Sequence, residues 1–298
     1  MGEITLRQAL EEYRTIYLAS RNFAERTRVE YINDLQDLIN FLEQSGLKEV
    51  KNVGLPQLER FLAELDRRGL AGSTRKRKVV SIRSFLWYLY QDGYISVNLS
   101  KRLIPPFSEA NNLRYLSKSE FERLLKASSE NPRDFALVQL LLQTGIKLSE
   151  LTQLTVQDVE LPADIYPEMK NVGYLHILGS KTKKGRVIPL NSKVCVSLAN
   201  YFNRRKIVSN QALFINRDGE TLSPRGVEKI VQKYMLQASI VNASVQSLRH
   251  TFGVHHIIGG ATLKMIKEVM GYRDLRAVTI YRIIVKYEFS KQIQEHAL

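Results

Sequence analysis

Near the end of the chain, Arg249 and His250 stand together in an apolar-periodic run, SLRHTFGVHHII, and Tyr281 follows thirty-two residues later in DLRAVTIYRI. Between them MGYRD reads as a helix end, a glycine turn and a new helix start. Upstream, GSKTKKGRVIPL clusters Lys181, Lys183 and Lys184 between two strand-like runs. A tyrosine hydroxyl is a nucleophile once its proton has somewhere to go. A guanidinium is a planar fork that can grip two phosphate oxygens at once. Attack on a phosphodiester without a metal needs such groups: a nucleophile, cations for the charge building on the nonbridging oxygens, and routes for two protons.

The run from Ser247 to Ile283 strongly resembles the tyrosine recombinase (phage integrase and Xer-type) family, which breaks DNA with a tyrosine hydroxyl. The resemblance implies that Tyr281 is the nucleophile, that Arg249 is the second of two catalytic arginines, and that His250 follows it as it commonly does in the family. It implies that the catalytic lysine, thought to protonate the leaving 5′ oxygen, is Lys181 on a β-turn, with Lys183 and Lys184 as neighbours that could fill the same place. It also implies a 3′-phosphotyrosyl intermediate, no metal and no nucleotide cofactor.

Three positions depart from the family pattern. The first arginine, expected in TGLRxSEL, is Lys147 in TGIKLSEL; the histidine of His-X-X-Arg is Gln246 in QSLRH; the His or Trp of LGHxD is Tyr272 in MGYRD. Lys147 keeps the charge without the fork. Gln246 can hydrogen-bond a phosphate but cannot take up a proton at neutral pH. Tyr272 can donate one hydrogen bond, or simply fill the space of an imidazole. Losing one preorganised phosphate clamp costs on the order of 3 kcal/mol, and three changes in one site are not additive. Two outcomes stay open: a site rebuilt around its substitutes, or a DNA clamp that has lost fast chemistry.

These residues need a frame. At 298 residues with 44% hydrophobic content, the chain can hold two cores. Helical periodicity at Leu6–Leu18, Thr27–Leu42, Leu55–Leu65 and Ser73–Tyr90 predicts a four-helix bundle over residues 1–97. The aperiodic, Pro105-Pro106-containing stretch 98–115 reads as a linker. The remainder, 116–298, opens on a capping box, Ser117 with Glu120. It carries helices, two strands at Gly173–Gly179 and Arg186–Leu190, and a third short strand at Ala212–Asn216. The tail after Tyr281 reads as a short amphipathic helix with Phe289, Ile293 and Leu298 on one side. The expected fold is mainly α: a SAM-like core-binding domain, then an α-rich tyrosine recombinase catalytic domain with a small antiparallel β-sheet. In the family a terminal helix commonly docks into the neighbouring protomer, and the resemblance implies a tetramer on DNA and a monomer or weak oligomer when free.

A net charge of +14 asks for a polyanionic partner. The run STRKRKVVSIR puts Arg75, Lys76, Arg77, Lys78 and Arg83 at a helix start, against the usual preference for acids there. Arg28 at another helix start and Arg225 in the SPRG turn are further phosphate candidates. Together these predict double-stranded DNA as partner. No cluster of acids or histidines has metal-ligand spacing, and one cysteine, Cys195, excludes an intrachain disulfide. His255 and His256 read as packing or capping groups. No apolar run would span a bilayer, and the acidic first segment lacks a signal core, so a cytoplasmic place is expected. Site-specific recombination or integration is the leading reading. Its rivals are a non-cutting, sequence-specific accessory binder and a topoisomerase-like relaxase.

Overall fold

The computed structural model describes residues 4–105, 113–166, 173–179 and 184–295, the side chains of 291–293 and 295 excepted. The chain divides into two compact units, Met1–Asn112 and Leu113–Leu298.

In the first unit α1 (Leu6–Glu12) continues into a π-helical stretch, Tyr13–Leu18, and is followed by α2 (Glu25–Gln44), α3 (Leu55–Arg67) and α4 (Gly72–Gln91). Each helix buries the stripe its sequence spaces at three and four residues: Leu35, Leu38, Ile39 and Leu42 on α2, Leu58, Phe61 and Leu65 on α3, Val79, Ile82, Phe85 and Leu89 on α4. Leu99 and Leu103 pack into the same core, so the first part of the stretch read as a linker belongs to this unit.

The basic start of α4 is spent largely inside the unit. Lys78 is only 7% exposed and its Nζ lies 3.2 Å from Asp34 and 2.9 Å from Asp37 on α2. Arg77 pairs with Glu30 and Asp34, and Arg75 pairs with Asp66 on α3. The acids missing from the first turn of α4 are supplied by its neighbours. Lys78 is thereby removed from the candidate DNA contacts, because reaching a phosphate would strip Asp34, itself 1% exposed, of a buried partner. Arg28 is tied to the Arg21 carbonyl at 3.0 Å. Lys76 is exposed and Arg83 half-buried.

The second unit runs α5 (Lys118–Ser128), α6 (Pro132–Thr144), α7 (Leu148–Leu151), β1 (Val159–Glu160), β2 (Gly173–Ile177), β3 (Arg186–Leu190), α8 (Ser192–Phe202), α9 (Pro224–Gln237), α10 (Val245–Ile258), α11 (Leu263–Met270) and α12 (Arg276–Glu295). Ser117 and Glu120 form the expected capping box on α5. The sheet is antiparallel in the order β1-β2-β3, with Leu175 opposite both Val159 and Ile188. Its alternating Leu175, Ile177, Ile188 and Leu190 face the main core, where Cys195 is also buried. A smaller core gathers Phe252, Val254, Ile266, Met270, Val278 and Tyr281.

Two expectations are corrected. Ala212–Asn216 is not a strand: it makes only single bridges, Thr155 to Ala212 and Ile215 to Thr221, because the turn chemistry of Asn216 and Asp218 folds it back at once. The tail is not a separate short helix. α12 runs unbroken from Arg276 to Glu295 with Tyr281 in its second turn and Phe289 exposed, while Leu298 and the Ile293 side chain lie outside the described residues.

The pairing on α4 separates structural from free charge. Lys78→Ala is expected to lower stability on the order of 3 kcal/mol in urea unfolding, as breaking a buried pair does. Lys76→Ala should leave stability within about 0.5 kcal/mol, yet make the slope of log DNA affinity against log salt shallower by about one. Equal stability effects would refute the division.

Candidate active site

The site is built where two helix C-termini meet. α6 closes on Gly145, in the left-handed region at φ +59, and α11 closes on Gly271, φ +66. Both turns leave helix-terminal carbonyls without helical partners. Arg249, on α10 between them, donates from Nη1 to the Gly145 carbonyl and from Nη2 to the Met270 carbonyl, the latter at 2.7 Å. It is 3% exposed. Among the described residues no carboxylate pairs with it; its charge is met by the negative ends of two helices. Two donors are so used, and a guanidinium has five.

Tyr272, one residue past Gly271, lays its ring under the Arg249 guanidinium, 4.8 Å from Cζ to the ring centroid. Its hydroxyl lies 3.1 Å from that of Tyr281. Tyr281 comes from α12, is wholly buried, and sits 3.1 Å from Nδ1 of His250. Gly253 makes this possible. It lies one turn below Arg249 on α10, and a Cβ there would come within 2.8–2.9 Å of the Tyr281 ring.

The environment sets the protons. Burial, then the Tyr272 hydroxyl, push the Tyr281 phenol far above its ordinary range, against a smaller pull from Arg249. Burial and the nearby Arg249 charge push His250 down to about 4. Near neutral pH this is a protonated phenol hydrogen-bonded to a neutral imidazole.

A cleft of about 620 Å³ opens beside these groups, lined by Lys147, Lys184, Lys267, Tyr272 and Arg273, with Glu150 as one of its acids. Glu150 receives both Nη groups of Arg186 at 3.0 and 2.8 Å and the Lys147 backbone N–H at 2.9 Å. Burial opposes its ionisation, but these donors prevail and hold its carboxyl below the usual range. Arg186 also donates to the Val269 carbonyl, so it ties β3 to α7 and to the end of α11.

Of the residues singled out in the sequence, the structure joins Arg249, Tyr272, Tyr281 and His250 in a chain of contacts and places Lys147 on the adjoining cleft. Lys147 lies 3.8 Å from Glu150. Gln246 is exposed one turn before His250. Lys181 and Lys183 lie outside the described residues. Arg225 is exposed at the start of α9, where Ser223 caps the helix. His255 and His256 bond the carbonyls of Leu116 and Phe252 and stand apart from the site. Among the described residues no group of three or more His, Cys, Asp or Glu could hold a metal. The sequence reading missed Glu150, Arg186 and Gly253. Lys147-x-x-Glu150 carries the capping-box spacing that could have found the first.

Comparison with known proteins supplies the context. Residues 114–286 match the model described as "Phage integrase family", and residues 10–93 match "Phage integrase, N-terminal SAM-like domain". The tyrosine recombinase XerC of Natranaerobius thermophilus is 32% identical over 290 residues, covering 93% of this chain and 94% of that protein. Among solved structures, a lambda integrase tetramer bound to a Holliday junction aligns with a TM-score of 0.75 at 17% identity, over 94% of this chain and 78% of that one. XerH bound to a palindromic difH substrate, in its post-cleavage complex, aligns at 0.74 and 18% identity, over 96% and 84%.

The Tyr281–Gly253 contact is open to test. Gly253→Ala is expected to cost about 1–3 kcal/mol, because an added Cβ overpacks the ring. Displacing the ring should also bring the Tyr281 phenol back toward its ordinary range, read as the ultraviolet titration difference between this variant with and without Tyr281→Phe. Unchanged stability and titration would mean the ring is not seated there.

Proposed function

The chain belongs to the phage integrase family of tyrosine recombinases, and on that premise we propose that it breaks and rejoins double-stranded DNA at a specific site through a 3′-phosphotyrosyl intermediate. The observation that carries the reading is the joining of Tyr281 to Arg249 through Tyr272, which lines a cationic cleft.

In this reading the Tyr281 hydroxyl oxygen attacks phosphorus. Arg249, with three donors still available, and Lys147 neutralise the nonbridging oxygens. Lys147 does so as a point charge, without the two-pronged grip of an arginine. Tyr272 holds the Arg249 fork from below and can offer its hydroxyl to the phosphate. Lys181 is the proposed acid for the leaving 5′ oxygen. Lys76, Arg83 and Arg225 are the proposed contacts to the DNA backbone, joined by Arg75 and Arg77 to the extent that their acids release them. The working assembly is a tetramer on DNA, as the name of the lambda integrase complex states for that protein; the place of action is the cytoplasm. Lys147 and Gln246, standing where the family keeps an arginine and a histidine, favour a second reading: an accessory protein that binds a specific sequence without cutting it.

A nicked duplex whose cleaved end diffuses away decides between them, after the bound sequence is selected from a random pool. The parent protein is expected to form a covalent adduct with a free 5′ hydroxyl. Tyr281→Phe should form none while binding within a few fold of the parent, since the lost hydroxyl is worth roughly 1 kcal/mol. An adduct that persists in Tyr281→Phe would move the nucleophile elsewhere; specific binding with no adduct in the parent would establish the accessory reading.

A further inference from the structure

We propose that His250 is the general base that takes the proton of Tyr281, in place of the imidazole missing at position 246. The inference rests on the DNA-breaking reading and deepens it by assigning the proton's route. Nδ1 of His250 is 3.1 Å from the Tyr281 hydroxyl oxygen, within the distance a base needs from the proton it removes. That oxygen is also 3.1 Å from the Tyr272 hydroxyl. A phenol has one proton to donate. With Tyr272 donating to Tyr281, the Tyr281 proton is aimed at Nδ1, and the three groups form a directed chain from Tyr272 to His250. The bare Cα of Gly253, three residues past His250, lets the ring approach closely enough to make this contact. Gln246 is exposed, and an amide accepts no proton at neutral pH.

Among the described residues, the titratable groups that meet His250 include Arg249, its neighbour on α10, and Tyr281 from α12, whose hydroxyl Tyr272 bonds from the turn after α11. The length of α6 that ends at the site, Ala136–Thr144, carries no titratable side chain. Burial and Arg249 keep the imidazole neutral at pH 7; in the tautomer protonated on Nε2, Nδ1 is free to accept the Tyr281 proton. An arriving phosphodiester offsets the Arg249 charge and raises the proton affinity of His250 when the chemistry begins.

In the step itself the Tyr281 O–H bond breaks and its proton passes to Nδ1, giving an imidazolium. A phenol oxygen lone pair forms the new P–O bond. The bond from phosphorus to the 5′ oxygen breaks, and its electron pair stays on that oxygen, which takes its proton from Lys181, the acid proposed above. Rejoining runs the same steps backward, with the imidazolium returning its proton to the departing phenolate.

The test uses the full-length protein on the nicked duplex, in single turnovers across pH. His250→Asn keeps an acceptor beside Tyr281 but cannot take a proton; His250→Ala removes both. Thermal melting confirms that each folds, and binding is measured on the same duplex. The parent rate is expected to be nearly flat between about pH 6 and 9, and both variants to lose about a hundredfold at neutral pH and then gain with rising pH. Added imidazole should restore part of the His250→Ala rate. DNA affinity should hold within a few fold. Parent-like rates and pH dependence in His250→Asn would overturn the proposal. So would faster cleavage in either variant, which would make the hydrogen bond a latch on the nucleophile. The parent's own adduct separates the two failures: a parent that forms none removes the DNA-breaking reading, and this inference with it.

Discussion

A buried guanidinium held by two helix C-termini is the interaction on which the second unit turns. Arg249 is almost wholly removed from water, and burying an unpaired cation would cost several kcal/mol. The carbonyls of Gly145 and Met270 supply the compensation, each at a helix end where a left-handed glycine has turned the chain away. A carboxylate in their place would stabilise the cation more directly, but it would cancel the net charge that the proposed phosphate contact needs. Backbone carbonyls hold the fork in place and leave its net charge intact.

The same clasp sets the neighbours. Because Arg249 fixes the end of α11, the next residues place Tyr272 beneath the guanidinium and start α12 at a defined point. Asp274 receives the Arg276 backbone N–H at 2.8 Å and closes that start. Tyr281 then falls in the second turn of α12, opposite Gly253 and beside His250. The arrangement keeps the proposed nucleophile protonated and out of water, its phenol held far above the ordinary range chiefly by burial. Around the cleft, Arg186 binds Glu150 on two sides, so that acid is neutralised by a residue that also braces the hairpin.

Much of this was legible in the sequence, for a physical reason. Helical periodicity is strong wherever one stripe alone is buried, as on α2, α3 and α4, and those helices stand where the pattern placed them. Arg249, Tyr272 and Tyr281 could be singled out because QSLRH, MGYRD and the tyrosine after it resemble the motifs of the family. The uses of charge were less legible. The run at the start of α4 looked like a surface for DNA, yet Lys78, Arg77 and Arg75 answer Asp34, Asp37, Glu30 and Asp66, which are distant in sequence. No local pattern reports such pairs. Likewise Gly253 in LRHTFG reads as a weak spot in a helix, and only the ring packed on it shows why a side chain is excluded there. The Ala212–Asn216 run has strand composition, but its turn sends the chain away before a ladder can form.

The central claim is that Arg249 organises the site as well as charging it. Hydrogen exchange on the DNA-free Arg249→Lys variant tests this directly, because an ammonium cannot span both carbonyls with the geometry of a guanidinium. The account predicts faster exchange than in the parent at the backbone amides of residues 145–147, 271–274 and the first turns of α12, with the α2–α4 bundle unchanged. Parent-like protection at all of these amides would contradict it, and would leave Arg249 with no part in building the site.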